Sequence, residues 1–222
     1  MTRAVYLSIF LILSLLNTTW ANTEQSNVVR DSRAKAVLDK SNAVYLQNTG
    51  IYSKFTQSIE VPDGKTTTKS GEIYLKGNKF KIKFPDQEIY SNDKSVWTYL
   101  KDAHEVQIND YESDPSDISP SNMFNIYQKD FNYIRIADEL VSGQKCYVID
   151  LTPIDKYRSY FKIRIWISQK TNLLSRIRIF DKNGYRYNYT INSINHKANL
   201  QDSLFEFNKN DYPGVKVEDL RF

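Results

Sequence analysis

One cysteine, two histidines and seven glycines in 222 residues leave several common chemistries without material. Cys146 has no second thiol to pair with, so an internal disulfide is excluded and the fold must rest on its core. The surrounding Cys146-Tyr147-Val148-Ile149-Asp150-Leu151 has a plain strand pattern, in which a buried, inert thiol is expected. No Gly-x-Ser-x-Gly, His-Glu-x-x-His or glycine-rich phosphate loop occurs. His104 falls in a polar hairpin turn and His196 in a polar stretch before the last strand, so both are expected to face solvent. A triad or metal site would need distant segments to converge on one of them. Asp110, Glu112, Asp114 and Asp117 form an acidic run without the glycine and terminal glutamate of a calcium loop, and read as a solvated loop. The sequence therefore predicts no catalytic residue, no metal site and no cofactor.

Also missing is an apolar run of membrane-spanning length. Val5 to Leu16 is shorter, follows Arg3, and precedes the small-x-small signal Thr19-Trp20-Ala21. Residues 1–21 thus read as a cleaved secretory signal, 22–31 as a flexible leader and 32–222 as a single domain. No cysteine stands near the cleavage site to take a lipid anchor, so a soluble exported protein is expected. The net charge of +4 is spread through strand patterns rather than clustered, which argues against a nucleic-acid partner.

What is abundant is aromatic and β-branched: sixteen tyrosines and eleven phenylalanines speak for β-structure. One helix is predicted first, from a cap at Asp31-Ser32 through Ala34, Val37, Leu38, Ser41, Val44 and Tyr45 to a stop at Asn48-Thr49-Gly50. From Ile51 the period changes to two. Ile51, Ser53, Phe55, Gln57 and Ile59 share a face. Gly71 to Phe84 reads as a hairpin turning at Gly77-Asn78, with Ile73, Leu75, Phe80, Ile82 and Phe84 on one greasy side and Lys79, Lys81 and Lys83 on a wetted side. Short strands follow around Tyr90, Trp97 and Gln107. Ser119-Pro120-Ser121 starts a second helical piece carrying Met123, Phe124, Ile126 and Tyr127. Strands resume near Tyr133 and Tyr147, then at Phe161-Ile163-Ile165 and Ile177-Ile179, with a last strand at Phe205 and Phe207. About ten or eleven antiparallel strands form a sheet large enough to curl. The predicted class is mainly β (α+β): a large curled antiparallel sheet forming an unclosed β-barrel under a lid of short α-helices.

An ordered series of short motifs resembles the LolA-like family of periplasmic outer-membrane lipoprotein carriers. Phe55-x-Gln57, Gly71-x-Ile73-x-Leu75-Lys76, Asn92-Asp93-Lys94-Ser95-Val96-Trp97-x-Tyr99, Ser119-Pro120, Leu151-x-Pro153 and Pro213-Gly214-Val215-x-Val217-x-Asp219 fall in that family's order. The resemblance implies an apolar cavity between half-barrel and lid. It further implies acylated lipoproteins as cargo, an inner-membrane ABC transporter as donor, an outer-membrane acceptor, and a periplasmic protein without covalent chemistry. A monomer is expected. The sheet side of the cavity would comprise Ile51, Phe55, Ile59, Ile73, Leu75, Phe80, Ile82, Phe84, Phe161, Ile163, Ile165, Ile177 and Ile179, and the lid Leu38, Met123, Phe124 and Tyr127. Carriers of this family have Arg-Pro after the hairpin lysine, where that Arg helps fasten the lid. Here Gly77-Asn78 stands instead, leaving Lys76 or Lys79 as the candidate latch. The alternative use of the same half-barrel is an envelope sensor that binds a lipid or a partner without shuttling it.

Overall fold

Period-two alternation becomes strand almost wherever it occurs. The computed structural model describes residues 28–46, 50–62, 64–111, 118–120, 123, 126–128 and 130–221. The expected N-terminal signal, most of the expected leader, Asn48-Thr49, Glu112, Asp114, Asp117, Ser121 and Phe124 lie outside the described residues. Among the described residues no helix is long and apolar enough to cross a membrane.

Helix α1 (Ser32–Leu46) begins as its cap predicts: the Asp31 carboxylate accepts from the Arg33 amide at 2.8 Å. Its buried side is Ala34, Val37, Leu38, Ser41, Asn42 and Tyr45. A helix of this length is marginal alone, and burying Val37 and Leu38 on the sheet contributes about 1.5–3 kcal/mol each. Within the expected leader, Val29 and Asp31 pair with the sheet: the Tyr133 amide donates to the Val29 carbonyl and the Asp31 amide to the Tyr133 carbonyl, both at 3.0 Å.

The strands are β1 (Ile51–Glu60), β2 (Thr67–Lys76), β3 (Lys79–Lys83), β4 (Gln87–Ser91), β5 (Ser95–Leu100) and β6 (Glu105–Asp110), then β7 (Phe131–Arg135), β8 (Glu139–Val141), β9 (Gln144–Pro153), β10 (Tyr160–Ser168), β11 (Leu174–Asp181), β12 (Arg186–Asn195) and β13 (Lys216–Asp219). They form a sheet of order β13-β6-β5-β4-β3-β2-β1-β12-β11-β10-β9-β7, with β8 on β9. Two meanders thus meet at one seam, where β1 pairs antiparallel with β12. Among the described residues β13 and β7 do not pair with each other, so the barrel is unclosed, with α1 as its helical lid.

Three features depart from the sequence reading. The second helical piece is, among the described residues, a single 3-10 turn at Ile126–Gln128. The strand expected at Phe205 and Phe207 is a 3-10 turn, Asp202–Phe205, and irregular chain beyond it. Phe205 is fully buried there, so it alternates with nothing and serves as an anchor. The last strand, β13, joins β6 in parallel, which strand periodicity alone does not disclose.

The outer face of β3 to β6 is not wetted as expected. Residues 205–215 cross it, burying Tyr99, Val106 and Val215 with Trp97, Phe207 and Tyr212 packed against them. Beneath this strap the Lys81 side chain is only 14% exposed and sits 3.5 Å from Glu88 and 4.4 Å above the Tyr90 ring. His104 (φ 49°) is exposed but engaged: Nε2 faces the Pro213 carbonyl at 3.1 Å and Nδ1 the Tyr99 hydroxyl at 3.0 Å. A carbonyl only accepts, so Nε2 carries the proton and Tyr99 donates to Nδ1. His196 is half-buried. Cys146 is fully buried.

Candidate functional site

The greasy side of the hairpin becomes the floor of a cavity. Strand pairing lays Ile89, Ile82, Ile73, Ser53 and Ile194 in one row across β4, β3, β2, β1 and β12. A second row runs through Gln57 on β1, Tyr189 on β12, Ile177 on β11 and Ile165 on β10. A register shift where β12 passes Lys54 and Phe55 skips Asn192, so both Ile191 and Ile194 reach the same face. Gly71 is needed opposite Phe55: a Cβ there would lie 2.4 Å from the Phe55 ring. That gap lets Phe55 lie flat across β2 and meet Phe84 edge-on at 5.6 Å.

Above these rows stand Tyr45 of α1 and the segment with Ile118, Ser119, Pro120 and Met123. Between floor and roof is a cavity of about 400 Å³. A pocket of about 30 Å³ adjoins it, roofed by Leu38, Ile118, Met123 and Ile126 over Ile163, Ile165 and Ile167. Ile118, Met123, Leu174 and Ile177 border both, so displacing the first two would merge them. Among the described residues no charged side chain lines either space.

The predicted site residues divide as follows. Ile51, Phe55, Ile73, Leu75, Ile82, Phe84, Ile177, Ile179 and Met123 line the larger cavity, while Leu38, Ile163 and Ile165 line the smaller pocket. Phe80 is buried in the core beside Tyr111, and Ile59 is half-buried beyond the cavity's lining. Tyr127 is buried against Tyr133 rather than facing the cavity. Phe124 lies outside the described residues. Phe161 points the other way: a bulge between Tyr160 and Lys162 reverses the parity, turning Tyr160 inward and leaving Phe161 43% exposed beside Phe180 and Arg186. The sequence reading put Ser53 and Gln57 on the face of Phe55 but counted neither them nor Gln87 and Tyr189 among the cavity residues, although Gln57 stood in the quoted Phe55-x-Gln57 motif.

Lys76 and Lys79 do not reach the helix. Lys76 donates to the Leu200 carbonyl at 2.9 Å and to Asp202 at 2.8 Å, and Lys79 lies 3.1 Å from the same carboxylate. These contacts hold the Asp202 carboxyl below its usual range and pin the start of the outer strap. The lid is fastened elsewhere. The Tyr45 hydroxyl accepts from the Leu174 amide at 2.9 Å, and burial pushes that phenol's pKa well above its ordinary value. Tyr127 donates to Asp39 of α1 at 2.8 Å, and burial, then the carboxylate, raises its own pKa to about 12.

A half-barrel with a helical roof thus encloses an apolar cavity that, among the described residues, no charged side chain lines. The profile of the family described as outer membrane lipoprotein carrier protein LolA matches residues 47–208, and the chain belongs to that family. Among solved structures it is similar to an uncharacterized conserved protein from Thermus thermophilus, at 10% identity, covering 84% of this chain and 99% of that one with a TM-score of 0.57. It also matches LprF from Mycobacterium bovis (11% identity, 78% and 98% covered, TM-score 0.48). A LolA superfamily protein from Nitrosomonas europaea matches at 13% identity over 78% and 97%, with a TM-score of 0.43. The search of curated proteins found no match.

Proposed function

We propose that this protein is a periplasmic carrier that shields the acyl chains of lipoproteins and ferries them from the inner to the outer membrane. One observation carries the reading: a cavity of about 400 Å³ between sheet and lid, lined among the described residues by no charge. That volume falls within the range of small-molecule sites. Acyl chain leaves a membrane only for comparably dry surroundings, at roughly 0.8 kcal/mol per methylene and so about 10 kcal/mol for one long chain. Isoleucine and phenylalanine rows supply such surroundings without a counter-ion or a catalytic group. Loading exchanges one apolar contact set for another: Ile118 and Met123 move aside, and acyl chain enters the joined spaces. In this scheme the N-terminal signal exports the protein to the periplasm, an ABC transporter of the inner membrane delivers the cargo, and an outer-membrane acceptor removes it.

Mass spectrometry of material co-purifying with the exported protein tests this, with Ile73→Glu as control. Acylated lipoproteins on the wild type, lost in the variant, are expected. Wild-type protein that carries only a non-acylated partner would overturn the carrier function in favour of a sensor.

A further inference from the structure

The floor of the cavity contains one polar pair whose hydrogen bonding is incomplete. Gln57 and Tyr189 face each other across the β1–β12 seam, and Gln57 Nε2 donates to the Tyr189 hydroxyl at 3.1 Å. Gln57 is 9% exposed, and among the described residues nothing donates to its Oε1. An orphaned buried carbonyl is costly to keep, and its neighbours on this face are the Phe55 ring and isoleucines. The missing donor has to come from the cavity side.

The pair presents one acceptor, Gln57 Oε1, and two donors, the Tyr189 hydroxyl hydrogen and the second Nε2 hydrogen of Gln57. Rotating the amide by half a turn makes the Tyr189 oxygen the acceptor and both Nε2 hydrogens the donors, so an acceptor still stands beside donors. Burial raises the Tyr189 pKa, so the hydroxyl keeps its proton. A ligand group that fits must therefore offer N–H or O–H beside C=O while staying neutral, since among the described residues no cation lines the cavity to balance a carboxylate. A secondary amide meets both demands. An ester supplies the carbonyl but sets a second acceptor against Oε1.

We infer that Gln57 and Tyr189 read the amide of an N-acylated cargo, so that this carrier distinguishes amide-linked from ester-linked acyl chains. The inference rests on the acyl-binding reading of the cavity and adds to it the linkage that is recognised. N-acylated lipoprotein termini and free N-acyl lipids share this group.

Calorimetry with N-palmitoylglycine methyl ester and its isostere, the palmitate ester of methyl glycolate, isolates the linkage. The amide is expected to bind about tenfold tighter, the consequence of leaving one buried partner unmade. Tyr189→Phe and Gln57→Leu should each bring that ratio close to one while both probes still bind. Gln57→Leu should leave the thermal midpoint near that of the wild type, because removing the orphaned carbonyl offsets the one hydrogen bond lost to Tyr189. Equal binding of the two probes by the wild type would overturn the amide readout and leave acyl binding standing. Palmitate binding more tightly than the amide would overturn it too. Binding of neither probe would remove the acyl-carrying function along with it. Tripalmitoylated against dipalmitoylated cysteinyl peptides, compared in the wild type and in Gln57→Leu so that the extra chain and the free amine cancel, assign the source. Preference for the tripalmitoylated peptide means acylated protein; preference confined to the glycine probes means free N-acyl lipid.

Discussion

On the outer face of β3 to β6, Tyr90, Tyr99 and Val106 are buried under Phe207, Tyr212 and Val215 of the same chain. On the inner face Ile73, Ile82 and Ile89 remain half-buried beside a cavity of about 400 Å³. Ile82 and Ile89 lie on the reverse of the same strands, and Ile73 on the neighbouring β2. The outer face even tolerates charge, because Glu88 lies within 3.5 Å of Lys81 and Lys101 and accepts from Tyr90 at 2.7 Å. Among the described residues that line its cavity, the inner face has no charged side chain, and it is filled less completely. One side is completed by the chain, and the other leaves room for something else. Stability and binding should therefore separate by face.

The largest effect is expected on the covered side. Phe205→Ala empties a fully buried site and should lower the unfolding free energy by about 3–5 kcal/mol in urea, leaving the lipid affinity of the folded fraction intact. Next, Glu88→Gln leaves Lys81 buried without its counter-charge and should cost about 3 kcal/mol at neutral pH. Glu88 adds a pH signature. Burial opposes its charge, but Tyr90 and Lys81, Lys83 and Lys101 outweigh this and hold its pKa below 4.5. A depressed carboxyl contributes stability above its unfolded pKa and loses it as pH falls through the folded one. Urea midpoints should thus drop more steeply below about pH 4.5 in the wild type than in Glu88→Gln. A variant with the wild-type acid limb would contradict the assignment. On the open side, Ile73→Glu should weaken a fluorescent fatty-acyl probe by at least about tenfold, with a smaller loss of stability than either outer variant. The smallest effect has the opposite sign. Ile82→Phe fills part of the cavity and should raise stability by about 1 kcal/mol while reducing probe binding. If Ile82→Phe stabilised the protein without touching affinity, the contrast between the faces would fail.

Strand positions, the hairpin and most of the floor could be read from the sequence because period two reports which face a residue takes. It does so only while the register is unbroken. Phe161 has the parity of Ile163 and Ile165, yet the bulge beside it puts it outside. Ile194 reaches the floor for the converse reason and was not anticipated. Lys81 alternates like a solvated residue, and nothing local announces that residues 205–215 will cover it. Phe205 and Phe207 mimic a strand, but that segment is decided from afar, by the contacts of Asp202 with Lys79 and with Lys76, 126 residues away. The polar floor was visible as a motif but not as chemistry. Only the pairing of β1 with β12 puts Gln57 opposite Tyr189.

That same seam governs when the site can exist during folding. Each meander is built from neighbours in sequence and can form quickly. The seam instead joins residues 140 positions apart, as in the bond from Ser53 to the Ser193 carbonyl at 2.8 Å. Loop-closure entropy delays such contacts, so the two half-sheets precede the floor they share. Until they meet, each carries an uncovered isoleucine stripe, and a chain held at this stage associates through it. Ser53, Gln57, Tyr189 and Ile194 stand together only in the finished molecule, so a ligand that needs all four reports completed folding.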